Sequence, residues 1–183
     1  CSTCLIKDIL IKHVEHEDSD VNAIEGIGAL NFLEIDDISA IEEGTPVDPK
    51  SVITLPTDVD LPRVPDFQPN LSDPFIKQID QSGRKWVILA NEQDEPLLLL
   101  DSDEFLRAAL LADGPVDIYS YCHRPIIVSS EKTKLGYVIK MMRKSKKDNF
   151  GVIEDDVVLV WTDKQKRIIT GADLFDRLLH GIK

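Results

Sequence analysis

An internal repeat constrains the fold of this 183-residue chain more than any other feature. Two stretches, one in the middle of the chain and one near its end, each run through an apolar strand, a polar turn, a second apolar strand and a helix. When the two strand-to-helix junctions are aligned, Asp101 corresponds to Thr170 and Glu104 to Asp173, with a constant offset of 69 residues. A constant offset indicates that one structural unit is present twice.

Each repeat is preceded by a strand and a helix, so the duplicated unit has the order β-α-β-β-α. Before the first repeat, residues 51–55 predict a strand, and a helix follows that Asp73 can cap and Gly83 can end. Before the second, residues 125–128 predict a strand, and Ser130 opens a helix that ends near residue 146. A small sheet with helices on one face leaves its other face uncovered, so the two units should pair. The predicted fold class is α+β (α/β-like), with tandem repeats, each a small β-sheet with two helices packed on one face, in a pseudo-twofold pair.

This pattern also predicts the division of the chain. Residues 1–38 form an acidic linker and a helix, residues 39–113 the first repeat, and residues 114–183 the second. The chain starts at Cys1 rather than at methionine, so we expect it to be a piece of a longer protein.

Charge and composition restrict the classes of function. The net charge is −12, and the first 60 residues carry fourteen acidic residues against three lysines. Such a field repels phosphate backbones, so we expect no nucleic-acid partner. No apolar run approaches the ~20 residues of a membrane span. The three cysteines cannot form a closed disulfide set, which favours a reducing compartment.

The second junction has the chemistry of a phosphate and ribose site. Thr170 ends a strand directly before a helix, where unpaired backbone N–H groups and the helix dipole favour an anion. The Thr170 hydroxyl can donate to a phosphate oxygen, and the carboxylate of Asp173 can accept from ribose hydroxyls. Gly171 allows a ligand to approach the backbone closely. Thr and Asp are also common helix caps, so capping without a ligand is the alternative.

The junction resembles a motif of the CBS-domain pair, or Bateman module. The motif has two apolar residues, Thr, two spacers and Asp, which here are the residues from Ile168 to Asp173. The resemblance covers roughly residues 39–183. The segment at 21–38 resembles the one that precedes the CBS pair in CorC/CNNM-type magnesium and cobalt efflux proteins, which have an N-terminal membrane domain and a cytosolic CBS pair.

The resemblance implies a function, a site and partners. It implies a regulatory module without catalytic activity on the cytoplasmic face of the membrane, which senses an adenine nucleotide (ATP, ADP or AMP), with or without magnesium. Thr170 would contact phosphate and Asp173 ribose. The partners would be a second copy of the chain, through the CBS pairs, and the N-terminal membrane domain of the parent protein. The expected nucleotide-binding residues are Thr170, Asp173, Gly171, Ile168, Ile127 and Arg167. Arg167 stands where the family usually has glycine, and its guanidinium either helps to bind phosphate or faces solvent.

The first junction departs from the motif, because Asp101 replaces Thr and Glu104 replaces Asp. A carboxylate about 4 Å from a phosphate costs on the order of 4 kcal/mol at an effective dielectric near 20. We therefore expect at most a weaker second site at Asp101 and Glu104, unless a magnesium ion bridges Asp101 to the phosphates. Helix capping without a ligand is the favoured interpretation there.

Other candidate sites and functions are weaker. The spacing of Cys1, Cys4, His13 and His16 is too short for a zinc finger, and a lipidated Cys1 is a further alternative. Cys122 and His123 are adjacent, and neighbouring side chains of an extended segment point in opposite directions, so we expect no nucleophile there. The basic run at residues 140–147 is a solvated helix end or a contact for polyphosphate or anionic lipid.

Two other functions stay open. The same fold could serve as a dimerisation scaffold that binds no ligand, or as the regulatory pair of a different parent, such as an enzyme fused upstream. No catalytic set and no metal site are expected in the chain.

Overall fold

The computed structural model describes residues 38–59, 61–112, 114–145 and 157–180. The helix predicted within residues 21–38, and Cys1, Cys4, His13 and His16, therefore lie outside the described residues, apart from Ile38. The described residues form three short 3₁₀ helices, at Ala40–Glu42, Pro49–Ser51 and Ile118–Tyr121. Their α-helices are α1 (Pro74–Ser82), α2 (Ser102–Leu111), α3 (Leu135–Ser145) and α4 (Gly171–His180). Their strands are β1 (Thr45–Pro46), β2 (Val52–Thr54), β3 (Thr57–Asp58), β4 (Leu61–Pro62), β5 (Trp86–Ala90), β6 (Pro96–Asp101), β7 (Cys122–His123), β8 (Ile126–Val128), β9 (Val157–Trp161) and β10 (Lys166–Thr170).

Two four-stranded mixed sheets form the framework. The first has the order β2-β5-β6-β7, with β2 parallel to β5 and the other neighbours antiparallel. The second has the order β8-β9-β10-β1, with β8 parallel to β9 and the other neighbours antiparallel. The two sheets therefore have the same topology. Strands β3 and β4 form a separate hairpin beside the first sheet.

The end strand of each sheet comes from outside its β-α-β-β-α run. Strand β1 precedes the first run in the chain, yet it pairs with β10 of the second. Strand β7 leads into the second run, yet it pairs with β6 of the first. Each sheet is thus completed by the segment that enters the other repeat, and this exchange links the two units.

Each sheet packs its helices on one face and the other unit on the opposite face. In β5, Val87 and Leu89 lie in the core with α1 and α2, whereas Ile88 between them packs on the other unit. In β9, Val158 lies in the core with α3 and α4, and Leu159 faces the first unit. Such alternation follows from the two-residue period of a strand. The paired α+β arrangement predicted from the repeat is confirmed.

The cluster between the sheets is closed by polar contacts. Its buried members are Ile88, Leu99, Val157 and Leu159. At its edge, the indole Nε1 of Trp161 donates to the backbone oxygen of Asp94 at 2.7 Å, and Lys166 forms an ion pair with the Asp94 carboxylate. The Lys166 ammonium also lies 4.1 Å from the centre of the Trp161 ring. These contacts join the β5–β6 turn of the first unit to the second sheet.

The predicted capping signals locate α1 correctly, but the predicted start of α3 was wrong. Asp73 accepts hydrogen bonds from the N–H groups of Phe75 and Ile76, and Gly83 ends α1 in the left-handed conformation. Helix α3 begins at Leu135 rather than at Ser130. Residues 130–133 form a turn, and Lys134 then pairs with Ser39 in an isolated antiparallel bridge. That long-range pairing holds Lys134 in a β-bridge, so the helix begins only after it.

Candidate functional site

Both strand-to-helix junctions lie at the end of the face on which the two units meet. Thr170 follows Ile168 by two residues on β10, and Asp101 follows Leu99 by two on β6, so each pair points to the same face of its sheet. Both Ile168 and Leu99 belong to the cluster between the sheets. Thr170 lies directly opposite Val157 in the β9–β10 ladder, and Asp101 lies opposite Trp86. The repeat alignment therefore matches positions that are equivalent in space.

At the second junction, Thr170 and Asp173 are bonded to each other. The Thr170 N–H donates to Oδ2 of Asp173 at 2.8 Å, and the Thr170 hydroxyl donates to the same oxygen at 2.6 Å. In return, the Asp173 N–H donates to Oγ1 of Thr170 at 3.4 Å. This is a capping box that satisfies two N–H groups at the start of α4. Both bonds to the carboxylate end at Oδ2, so Oδ1 keeps its capacity to accept from a ligand hydroxyl.

The surroundings of this capping box are open on one side. Thr170 and Asp173 are half-buried, and Gly171 is exposed. A Cβ added to Gly171 meets no atom within 4 Å. Ile127 on β8 and Ile168 on β10 flank Leu159 in one row across the sheet, on the face toward the first unit. The structure thus brings these apolar residues onto the same face as Thr170, and Ile127 is 46% exposed there.

Arg167, in contrast, lies on the opposite face of β10 from Thr170. Arg167 points to the same face of β10 as Ile169, two residues further on, and Ile169 is fully buried against the helices of the second unit. The Nε of Arg167 donates to the backbone oxygen of Glu43 at 2.7 Å, and its Nη2 donates to the backbone oxygen of Gly44. As placed here, Arg167 fastens the chain segment before β1 and is separated from the other predicted site residues.

The first junction has the same backbone arrangement but a different polar set. Asp101 is 4% exposed, and its Oδ1 accepts the N–H of Glu104 at 3.1 Å as the cap of α2. Its Oδ2 lies 3.5 Å from the ammonium of Lys85. The Glu104 side chain is exposed on the first turn of α2. The carboxylate of Asp101 is therefore compensated, which sequence reasoning missed. The β5–β6 hairpin could have indicated Lys85 as the partner, because Lys85 directly precedes Trp86, the residue that pairs with Asp101.

A cavity of about 570 Å³ lies elsewhere, between the loop at residues 64–69 and the linker at residues 114–119. Both segments border the first unit, and neither Thr170 nor Asp173 lines it. Asp66, Phe67, Asp117 and Tyr119 are among its lining residues. The Asp117 side chain already caps a 3₁₀ helix, and the Tyr119 hydroxyl donates to the oxygen of Pro62 at 2.7 Å. The cavity therefore brings together none of the predicted site residues.

Among the described residues, Cys122 and His123 are not arranged as a catalytic pair. Cys122 is buried, its thiol donates to the oxygen of Ile118 at 3.4 Å, and burial raises the pKa of this thiol to about 12. Such a thiol is protonated at neutral pH and is a poor nucleophile. The ring of His123 packs edge-on against Trp86 at 5.0 Å. In the part of the chain that the structure describes, no cluster of three or more His, Cys, Asp or Glu side chains could hold a metal ion.

Two further findings concern the membrane and the basic run. Within the described ranges, no helix combines the length and the apolar character that crossing a bilayer requires. The basic run lies partly on α3, which contains Lys140 and Arg143, whereas Lys146 and Lys147 lie outside the described residues.

Comparison with known proteins identifies the fold. No protein-family model matches the sequence, and no curated protein matches it. Among solved structures, the CBS domain of the bacterial CNNM/CorC family Mg²⁺ transporter in complex with the inhibitor IGN95a is similar, with a TM-score of 0.55 and 14% identity over 95% of this chain and 96% of that one. The same domain in complex with ATP gives a TM-score of 0.51 and 15% identity over 86% of this chain and 99% of that one.

A third structure of this bacterial domain, described without a ligand name, gives a TM-score of 0.50 and 15% identity over 95% and 94% of the two chains. At such identities the likeness concerns the fold. The chain therefore has the α+β fold of a CBS-domain pair.

Proposed function

We propose that this chain is a regulatory module that binds an adenine nucleotide at the second junction, between its two units. The observation that carries the proposal is the position of Thr170 and Asp173. They stand at a helix N-terminus, at the end of the inter-unit face, beside open space at Gly171. The CBS domain of a bacterial CNNM/CorC transporter, which has a similar fold, is known in complex with ATP, and this supports the choice of nucleotide.

The roles of the side chains follow from their chemistry. The hydroxyl of Thr170 donates to a phosphate oxygen, and the dipole of α4 favours the phosphate charge at the same place. Asp173 accepts from ribose hydroxyls, and Ile127 and Ile168 give the base an apolar surface. The Thr170 hydroxyl has one hydrogen, which now goes to Asp173, so ligand binding exchanges one bond of the capping box for a bond to phosphate.

Regulation by such a site acts through the arrangement of the two units. A nucleotide that contacts both units favours the arrangement in which those contacts are best. The shift in free energy equals the difference in its affinity for the two arrangements. We propose that the parent is a membrane transporter of divalent cations such as magnesium or cobalt. The module would lie on its cytoplasmic face and act without catalysis, and magnesium would accompany the nucleotide.

A homodimer is the proposed assembly. Three large apolar side chains on helices of the second unit are exposed: Tyr137 on α3 and Phe175 and Leu179 on α4, at 59%, 62% and 54%. Phe175 and Leu179 are four residues apart and lie on one side of the helix. Their equivalents in the first unit, Leu106 and Leu110, are partly buried against its core. A second copy that covers the helices of the second unit would account for this difference.

Calorimetry with ATP, ADP and AMP, each with and without magnesium, tests the nucleotide site. We expect binding of at least one nucleotide to the folded wild-type chain. Thr170→Ala and Asp173→Ala should each weaken binding by about 1–3 kcal/mol, because each removes a hydrogen bond to a charged or polar ligand group.

Glu104→Ala is the matched control, since Glu104 occupies the position of Asp173 in the first unit and should leave the affinity unchanged. Urea unfolding of each variant separates the loss of a helix cap from the loss of a ligand contact. The absence of heat with all three nucleotides, in protein shown to be folded, would rule out the nucleotide site.

A dimerisation scaffold without a ligand is the second candidate. The observation in its favour is that both junctions are satisfied internally, through the Thr170–Asp173 box and the Asp101–Lys85 pair. Light scattering after size exclusion would give a dimer for either function. Only the calorimetric result separates the two.

A further inference from the structure

The chain segment that enters the first repeat is held by the second unit. We call residues 38–47 the entry segment. The N–H of Ala40 donates to the oxygen of Thr133 at 2.8 Å, and the N–H of Leu135 donates to the oxygen of Ile38 at 2.9 Å. Ala40 is fully buried in the core of the second unit. Further along, β1 pairs with β10. The entry segment is thus structurally part of the second unit.

A buried carboxylate and two arginines fix the middle of this segment. Glu43 is 7% exposed and forms an ion pair with Arg177 of α4. Arg167 of β10 donates to the backbone oxygens of Glu43 and Gly44. We call these three residues the Glu43 clamp. Gly44 has φ +68°, and a Cβ there would lie 2.1 Å from the oxygen of Ile168, so the backbone passes β10 too closely for any side chain at this position.

The clamp and the candidate nucleotide site share the same two elements. Arg167 lies three residues before Thr170 on β10. Arg177 lies four residues after Asp173 on α4, about one turn along the helix. A helix moves nearly as a rigid body over so short a distance. We therefore expect a shift in the start of α4 to reach the backbone of Arg177, whose guanidinium pairs with Glu43.

We propose that the Glu43 clamp couples the second junction to the entry segment, so that the state of Thr170 and Asp173 determines how firmly residues 38–44 are held. The claim that the clamp regulates nucleotide binding rests on the proposed function. The coupling itself is a property of the chain without a ligand. Because coupling between two sites is reciprocal, loosening the clamp should in turn affect the junction and the affinity for a ligand there.

Hydrogen exchange on the ligand-free chain tests the coupling directly. Glu43→Gln removes the charge and retains the shape, and Glu42→Gln changes the neighbouring exposed carboxylate as a matched control. We expect Glu43→Gln to speed exchange in the first turn of α4 by about fivefold, and Glu42→Gln to have no effect there. In the opposite direction, Thr170→Ala should speed exchange of the amides of Ala40 and Glu43, whereas Thr170→Ser should retain their protection.

Calorimetry with ATP on the same variants gives the second readout. If the wild type binds, Glu43→Gln should change the affinity by about fivefold relative to Glu42→Gln. If the wild type binds no nucleotide, the proposed function fails, and the exchange data still decide the coupling. Exchange effects confined to the mutated element in both directions would overturn the inference, even if ATP binds. Should Glu43→Gln lose its folded signal, Glu43→Asp, which retains the charge but draws the carboxylate back from Arg177, takes its place in both measurements.

Discussion

The two strand-to-helix junctions have the same backbone and opposite chemistry. At the first, a buried carboxylate caps the helix and lies 3.5 Å from Lys85. At the second, a neutral hydroxyl caps the helix and is bonded to Asp173. Both positions stand at the end of the inter-unit face, so geometry alone does not distinguish them. The two junctions thus share a backbone arrangement and differ in the cap residue, which is a carboxylate at Asp101 and a hydroxyl at Thr170.

The two units also differ in how their exchanged end strands are held. Strand β7 is held by burial, since Cys122 is 3% exposed and Ile118 just before it is 4% exposed. Strand β1 has both residues exposed and is held by the Glu43 clamp and by the close approach at Gly44. At Gly44 the backbone oxygen of Ile168 leaves no room for a Cβ, whereas Cys122 of β7 already has a side chain that the core accommodates. The attachment of β1 is therefore the more sensitive of the two.

The largest expected effect comes from converting the second junction to the first. Thr170→Asp places a carboxylate about 4 Å from the ligand phosphate, which costs on the order of 4 kcal/mol at an effective dielectric near 20. Calorimetry should show a loss of nucleotide affinity close to a thousandfold. The reverse change, Asp101→Thr, should leave that affinity unaltered.

Thr170→Asn is the control, because its side chain has the size and capping ability of Asp without the charge. Its loss of affinity should be far smaller than that of Thr170→Asp. Equal losses in the two variants would show that shape, rather than charge, separates the junctions.

A smaller but substantial effect is expected from glycine replacements that compare the two units. Gly44→Ala forces a Cβ against the oxygen of Ile168 in a left-handed conformation, and should lower the free energy of unfolding by more than about 3 kcal/mol. Gly83→Ala has a similar φ of +57° but open space around it, and should cost about 1–2 kcal/mol. Urea unfolding measures both. Similar losses would mean that the backbone conformation, and not the approach to β10, is what matters at Gly44.

The smallest effect is expected for the cap of α2. Asp101→Ala should lower the free energy of unfolding by about 1–2 kcal/mol, because the N–H of Glu104 loses its acceptor. The pair with Lys85 adds little, since the lysine side chain is 59% exposed and screened by solvent. Asp101→Asn retains the cap and should cost less in the same assay. A loss of more than about 3 kcal/mol for Asp101→Asn would show that the ion pair, rather than the cap, stabilises the first junction.

Local signals predicted most of the regular elements. The strands of the two repeats were predicted from continuous apolar runs, and α1 from Asp73 and Gly83, because these signals act within a few residues. The start of α3 was missed because Lys134 pairs with Ser39, which is distant in sequence. The sequence left open whether the guanidinium of Arg167 helps to bind phosphate or faces solvent. The alternation of side chains along β10 places Arg167 on the face opposite Thr170, where it donates to the carbonyls of Glu43 and Gly44.

The amino-acid sequence by itself determined that one unit occurs twice and that its second junction has the residues of an anion site, because apolar periodicity and capping residues act locally. Only the tertiary structure decided which strand completes which sheet, which face of β10 each side chain occupies, and which cation neutralises Asp101. Strands of two residues such as β1 and β7 carry no periodicity of their own. Their partners are selected by packing and hydrogen bonding between segments more than 20 residues apart.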